Sequence, residues 1–171
     1  GRLPLTFPAT EDQAIPAYIG GGTVDLAEGV FAGYRHFVSH GHRPLFAFGH
    51  GLSYTTFEYS DLHIEPLSAP DAVSIRVTVR NTGARPGSEV VQVYIGKLPA
   101  PVPTPARQLS GFAKVTLAPG ESAVAEIVIA RRALSYWDES ARAWAPPAGR
   151  VNVYVSGSVS DDRLSGSFTV A

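Results

Sequence analysis

A chain of 171 residues, 44% hydrophobic and only 17% charged, is long enough to bury a core without staples. Its net charge of -1 leaves no basic excess to neutralise phosphates, which argues against nucleic-acid and anionic-membrane partners, and no apolar run approaches a membrane span. Cysteine is absent, so disulfides and thiolate metal sites are excluded and periplasmic, secreted and cytoplasmic locations stay equally open.

The first residues, Gly1-Arg2-Leu3-Pro4-Leu5-Thr6-Phe7-Pro8, lack both the apolar core and the small-residue cleavage site of a signal peptide. They read as an extended segment entered in mid-domain, so the chain has the look of a C-terminal piece. From Thr10 to Val24 nothing is periodic, and Pro16 with Gly20-Gly21-Gly22 marks irregular loop. Asp25 to Val30 has the makings of a short helical turn. Tyr34 to Val38, aromatic on both faces, predicts a short strand covered on both sides. Ser39 to Pro44 is a polar loop, and Leu45 to Phe48 is apolar again. So irregular a stretch cannot easily form a core of its own and needs a partner surface. It ends at Phe48-Gly49-His50-Gly51-Leu52-Ser53-Tyr54-Thr55-Thr56-Phe57, where two glycines bracket a histidine before a β-rich alternation begins. That stretch reads as a hinge piece between two domains.

The rest reads as one all-β domain, 57–171. Phe57 to Ile64 is strand-like, with a slip at Ser60-Asp61 that suggests a bulge. Val73, Ile75, Val77 and Val79 alternate with polar residues, and Asn81-Thr82-Gly83 turns the chain. Val91, Val93 and Ile95 make the next inward row. Pro99, Pro101, Pro103 and Pro105 prevent sheet pairing and predict a semi-rigid loop. Further strands carry Leu109 to Leu117, Ala123 to Ile129, Val151 to Val155 and Leu164 to Val170. Tyr136-Trp137 and Ala143-Trp144 flank a polar turn and predict a small hairpin, its tryptophans read as core. Seven or eight short strands at this spacing make an immunoglobulin-like or fibronectin-like sandwich the expected fold.

Taken in order, Gly1 to Pro8, Glu28-Gly29-Val30-Phe31-Ala32-Gly33-Tyr34-Arg35-His36-Phe37, and Phe48 to Phe57 resemble the C-terminal region of family 3 glycoside hydrolases. The pieces that follow agree collinearly: Asn81-Thr82-Gly83, Gly87-Ser88-Glu89-Val90-Val91-Gln92-Val93-Tyr94, Leu109-Ser110-Gly111-Phe112, and Leu117-Ala118-Pro119-Gly120-Glu121-Ser122. These resemble the fibronectin type III-like domain that closes many β-glucosidases and β-xylosidases. Ala47 and Arg107-Gln108 depart from the commoner proline and Lys-Glu. The resemblance implies that residues 1–56 are the closing remnant of an α/β sandwich domain plus the junction. It further implies that the nucleophile and the acid/base lie in upstream barrel and α/β domains, so no catalytic residue is assigned here. The partners would be those missing domains and, for the whole enzyme, a β-linked saccharide. No cofactor is implied. The rival reading is a stand-alone carbohydrate- or protein-binding module without hydrolase activity.

A retaining glycosidase needs two carboxyl groups about 5 Å apart. Glu11, Asp12, Asp25, Glu28, Glu89, Asp138 and Glu139 are the acids to weigh, and all read as loop or surface charges. Glu28 is expected to orient the aromatic segment, together with Arg35. His36, His40 and His42 fall within seven residues, but without a carboxylate or cysteine at ligand spacing they read as a solvated loop rather than a metal site. His50 and Tyr54 are the candidate sugar contacts, with a backbone-bonding turn histidine and a packing aromatic as the alternatives. Glu28, Tyr34, Arg35, Phe48, Gly49, Gly51, Leu52 and Tyr54 are the expected residues of the domain junction.

Overall fold

The computed structural model describes residues 1–13, 28–67 and 73–170. The expected loop at Gly20-Gly21-Gly22, the start of the turn at Asp25 and the end of the Pro66 to Pro70 connection lie outside them.

The sandwich forms because its strands alternate as predicted. β1 (Phe57–Pro66), β2 (Val73–Asn81) and β5 (Ser122–Ile129) make one antiparallel sheet in the order β1-β2-β5. β4 (Arg107–Leu117), β3 (Gly87–Gly96), β8 (Gly149–Ser158) and β9 (Asp161–Val170) make the other, in the order β4-β3-β8-β9. Strand β4 lies against β5 and β9 against β1, which closes both flanks. Ile75, Val77 and Val79 from β2 meet Val91, Val93, Val151, Val153 and Val155 in one core, all out of contact with solvent. Burying that apolar surface is the main stabilising term, at about 25 cal/mol per Å². The slip at Ser60-Asp61 is a bulge: the β1–β2 register shifts between Ser60 and His63, with Asp61 at φ 52°.

Asn81 ends β2 and stitches the turn that the sequence marked. Its Nδ2 donates to Arg85 O at 2.7 Å and Leu117 O at 3.1 Å, while its Oδ1 accepts from Gly83 N at 3.1 Å. The proline stretch is non-strand, as expected, and Thr104 Oγ1 closes it through Leu98 N at 3.1 Å. β6 (Tyr136–Asp138) and β7 (Ala143–Ala145) form the expected hairpin, with Trp137 opposite Trp144.

Three expectations are corrected. Tyr34–Ser39 is a helix, α1, not a strand. Gly33, at φ 63°, turns the chain into it, Tyr34 meets the sandwich through Leu109 and Tyr94, and Phe37, one turn on, is buried. Five aromatic-rich residues carry too little periodicity to separate the two structures. The tryptophans are not core, at 46% and 42% exposed. Glu89 is not a surface charge, at 5% exposed, because it lies in phase with the inward row Val91, Val93 and Ile95.

Candidate functional site

The leading segment, residues 1–13 and 28–56, folds back on the outer face of the four-stranded sheet. Its own order comes from two extended runs side by side. Phe7 bridges Phe46, Leu3 N–H donates to His50 O at 2.8 Å, and Gly49 N–H donates to Leu3 O at 2.9 Å. The contact with the sandwich is then made at four points.

The most buried point is Gln92, which β3 projects away from the core and under the glycine pair. Its Nε2 donates to Gly49 O at 3.2 Å and to Gly157 O at 2.6 Å, and its Oε1 accepts from Tyr94 Oη at 2.6 Å. Gly49 sits at φ 81°, and a Cβ there would overlap the Gln92 carboxamide, with Cδ 2.8 Å away. Only glycine meets both demands. Burial, followed by the neighbouring Tyr34, pushes the Tyr94 phenol above its ordinary range.

Around this point Phe48 stacks on Tyr34 at 4.6 Å between centroids, and Tyr34 meets Tyr94 edge-on at 6.2 Å. Leu109 N–H donates to Tyr34 Oη at 2.8 Å, and Val159 N–H donates to Phe48 O at 3.0 Å. A third point is charged. Arg2 pairs with Glu89 Oε1, which also accepts from Tyr59 Oη at 2.9 Å. Burial and then the Glu89 carboxylate push the Tyr59 phenol upward. At the fourth, Thr55 Oγ1 donates to Asn81 Oδ1 at 2.6 Å.

The expected junction residues divide sharply. Tyr34, Phe48 and Gly49 are in the packed contact. Gly51 touches its edge, its carbonyl accepting from Arg2 Nη1 at 3.4 Å. Arg35 donates to Val30 O at 3.3 Å and, among the described residues, not to Glu28, whose carbonyl instead accepts from Phe31 N–H at 3.0 Å. Leu52 and Tyr54 are 89% and 92% exposed among the described residues. His50 uses its backbone, donating to Ala47 O at 3.0 Å, and lays its ring beside Phe46 at 5.3 Å. The three histidines cluster, His36 and His40 lying 4.2 Å apart. Burial and those two neighbours lower the pKa of His36. Among the described residues no group of three potential ligands is placed to hold a metal ion.

Sequence reasoning missed Arg2, Tyr59, Gln92 and Thr55 as junction residues. Glu89 had a usable signal in its phase with the inward row. Gln92 and Tyr94 point to the sheet's other face, and nothing local says that this face is covered.

The fibronectin type III-like domain family matches residues 89–159. Over 99% of its length the chain is 42% identical to a probable beta-glucosidase I of Aspergillus terreus and 38% identical to a probable beta-glucosidase L of Emericella nidulans. It spans 22% and 25% of those relatives. The whole chain superposes on the beta-D-glucoside glucohydrolase of Trichoderma reesei with a TM-score of 0.93 at 34% identity, covering 26% of it. It superposes on a beta-glucosidase of Streptomyces venezuelae, solved with D-glucose, with a TM-score of 0.89 at 35% identity, covering 23%.

Proposed function

The chain belongs to the family 3 glycoside hydrolases, corresponding to their non-catalytic C-terminal region with its fibronectin type III-like domain, and on that premise we propose that it holds the catalytic domains of a β-glucosidase-type enzyme in place. In this reading residues 1–56 are the closing edge of an α/β sandwich domain, and 57–171 are the module that braces it. The junction residues Glu28, Tyr34, Arg35, Phe48, Gly49 and Gly51 fix the angle between the two. Leu52 and Tyr54 reach across to upstream domains. The whole enzyme releases terminal β-linked sugars with retention, by double displacement between carboxylates outside this chain.

The observation that carries the proposal is the contrast within the leading segment. One side is clamped to the sandwich, and the other leaves Leu5, Phe7, Leu45, Phe46, Leu52 and Tyr54 exposed. So much apolar surface in so short a segment calls for a partner. Thr6 Oγ1 adds to this: among the described residues it is a buried polar atom with no hydrogen-bond partner.

Reading the gene on the 5′ side of the Gly1 codon tests the proposal. The expected result is one continuous frame encoding a barrel with a nucleophile-bearing segment; a frame that starts at Gly1 overturns it. A second test incubates the 171-residue chain with an aryl β-glucoside, where no turnover is expected and robust hydrolysis would place the chemistry in this chain.

A further inference from the structure

A cavity of about 990 Å³ lies between the proline-rich loop and the tryptophan hairpin. That volume is in the range of a small-molecule site, about 300–1,000 Å³. One wall is Pro101 to Pro105, held by the Thr104 hydroxyl on Leu98 and unable to pair as strand. The facing wall is Trp137 and Trp144, 5.6 Å apart and 66° between planes, with the Arg132 guanidinium 4.4 Å above Trp144.

The hairpin is three residues a side, and both indoles remain more than two-fifths exposed. Two costly apolar rings held open to solvent across from a stiff wall are a binding arrangement rather than a packing one. The charges lining the cavity balance: Arg35 and Arg132 stand against Asp138 and Glu139. An anionic ligand therefore gains nothing, and a neutral one loses nothing. Asp138 is also pre-organised. Its Oδ1 accepts from Ser140 Oγ at 2.6 Å, Ser140 N–H at 2.9 Å and Ala141 N–H at 3.1 Å, which lowers its pKa and keeps it an ionised acceptor.

We propose that this cavity is a binding site for a short neutral oligosaccharide. A pyranose ring with equatorial hydroxyls offers a flat C–H face to one indole and an edge of hydroxyls to side-chain donors and acceptors. The corner made by the two indoles receives the stacked ring and the side of its neighbour, and Asp138, Glu139 and Arg132 stand within the same cavity to take hydroxyls. This site needs no catalytic residue, and its occupancy does not depend on whether the chain braces an enzyme.

The two tryptophans of the cavity are the only two in the sequence, so indole signals of the chain report on this site alone. The test titrates the 171-residue chain with cellotetraose and follows intrinsic tryptophan emission. The expected result is a saturable change, weakened about tenfold or more in Trp144→Ala, the loss of one stacking partner being worth roughly 1.4 kcal/mol. A parallel ¹H–¹⁵N spectrum needs no variant: both indole N–H signals should move while the amides of Ile75 and Val77 stay fixed. No saturable response up to the solubility limit overturns the proposal. So does an unchanged response in a folded Trp144→Ala, or saturation by a proline-rich decapeptide but not by cellotetraose.

Discussion

The sandwich and the segment that precedes it obey different rules. Between Phe57 and Val170 the chain buries its own apolar rows: eleven residues, from Ile75 to Val155, are essentially sealed from solvent in one core. Tyr94 is sealed too, but on the outer face, under the leading segment. Among the described residues of the leading segment the buried hydrophobic residue is Phe37, whereas Leu5, Val30, Leu45, Leu52 and Tyr54 are each at least half exposed. The sandwich is self-sufficient. The leading segment makes most of its hydrogen bonds within itself but has no sealed apolar core among the described residues, and Arg2, Tyr34, Phe48, Gly49 and Thr55 tie it to the sandwich it leans on. An apolar residue therefore means core in one region and contact surface in the other.

That contrast can be broken at several places. Ile75→Ala should cost about 2–5 kcal/mol, read as a fall in the urea midpoint of the whole domain. Phe37→Ala should leave that midpoint near the parent and show itself as faster proteolysis before residue 57; equal effects from the two would erase the distinction. Gly49→Ala forces a side chain into left-handed backbone against Gln92 and should cost about 2–3 kcal/mol of local stability. Its readout is hydrogen exchange, with the Leu3 and Val159 amides losing protection while β2 keeps its own.

Gln92→Leu keeps the shape but strips partners from Gly49 O, Gly157 O and Tyr94 Oη, at about 1–2 kcal/mol, and should loosen the same amides. Asp162 gives a smaller, pH-dependent effect inside the sandwich. Burial raises its pKa, but bonds from Arg107, at 2.6 Å to Oδ2, and from Ser156, at 2.8 Å, more than offset this and hold it below 3.8. The native state then binds fewer protons than the unfolded one, so this stability is present above pH 3.8 and is lost as pH falls through the depressed value. Asp162→Asn should be less stable than the parent at pH 7, with the gap closing below pH 3.8; a gap independent of pH would remove the ion pair from the account. Smallest of all, Leu52→Ser and Tyr54→Ser should change the chain's own stability by no more than about 0.5 kcal/mol. A large loss would place their partner inside this chain.

Residue by residue, legibility followed how locally each fact is decided. Val73 to Val79 could be read because period-two alternation leaves one solution for a half-buried strand. The bulge at Ser60-Asp61 showed as a break in the same alternation. Tyr34 to Val38 could not be read, since a short aromatic run fits helix and strand alike until Gly33 and the packing of Phe37 choose between them. Trp137 and Trp144 misled because size and apolarity argue for a core, while a three-residue hairpin beside a proline wall has no interior to put them in. Glu89 carried its answer in its phase, but its partners Arg2 and Tyr59 lie far away in the chain.

Taken alone, the sequence determined the sandwich, its strands and turns, and the collinear likeness to one family, because each rests on neighbouring residues or on their order. Tertiary structure decided the rest. It turned Gln92 from an outward polar residue into the buried clasp of Gly49, split the junction residues into clamped and exposed sets, and opened the tryptophan cavity. The reason is physical: alternation says which face of a strand a side chain takes, but only the packed chain says what, if anything, covers that face.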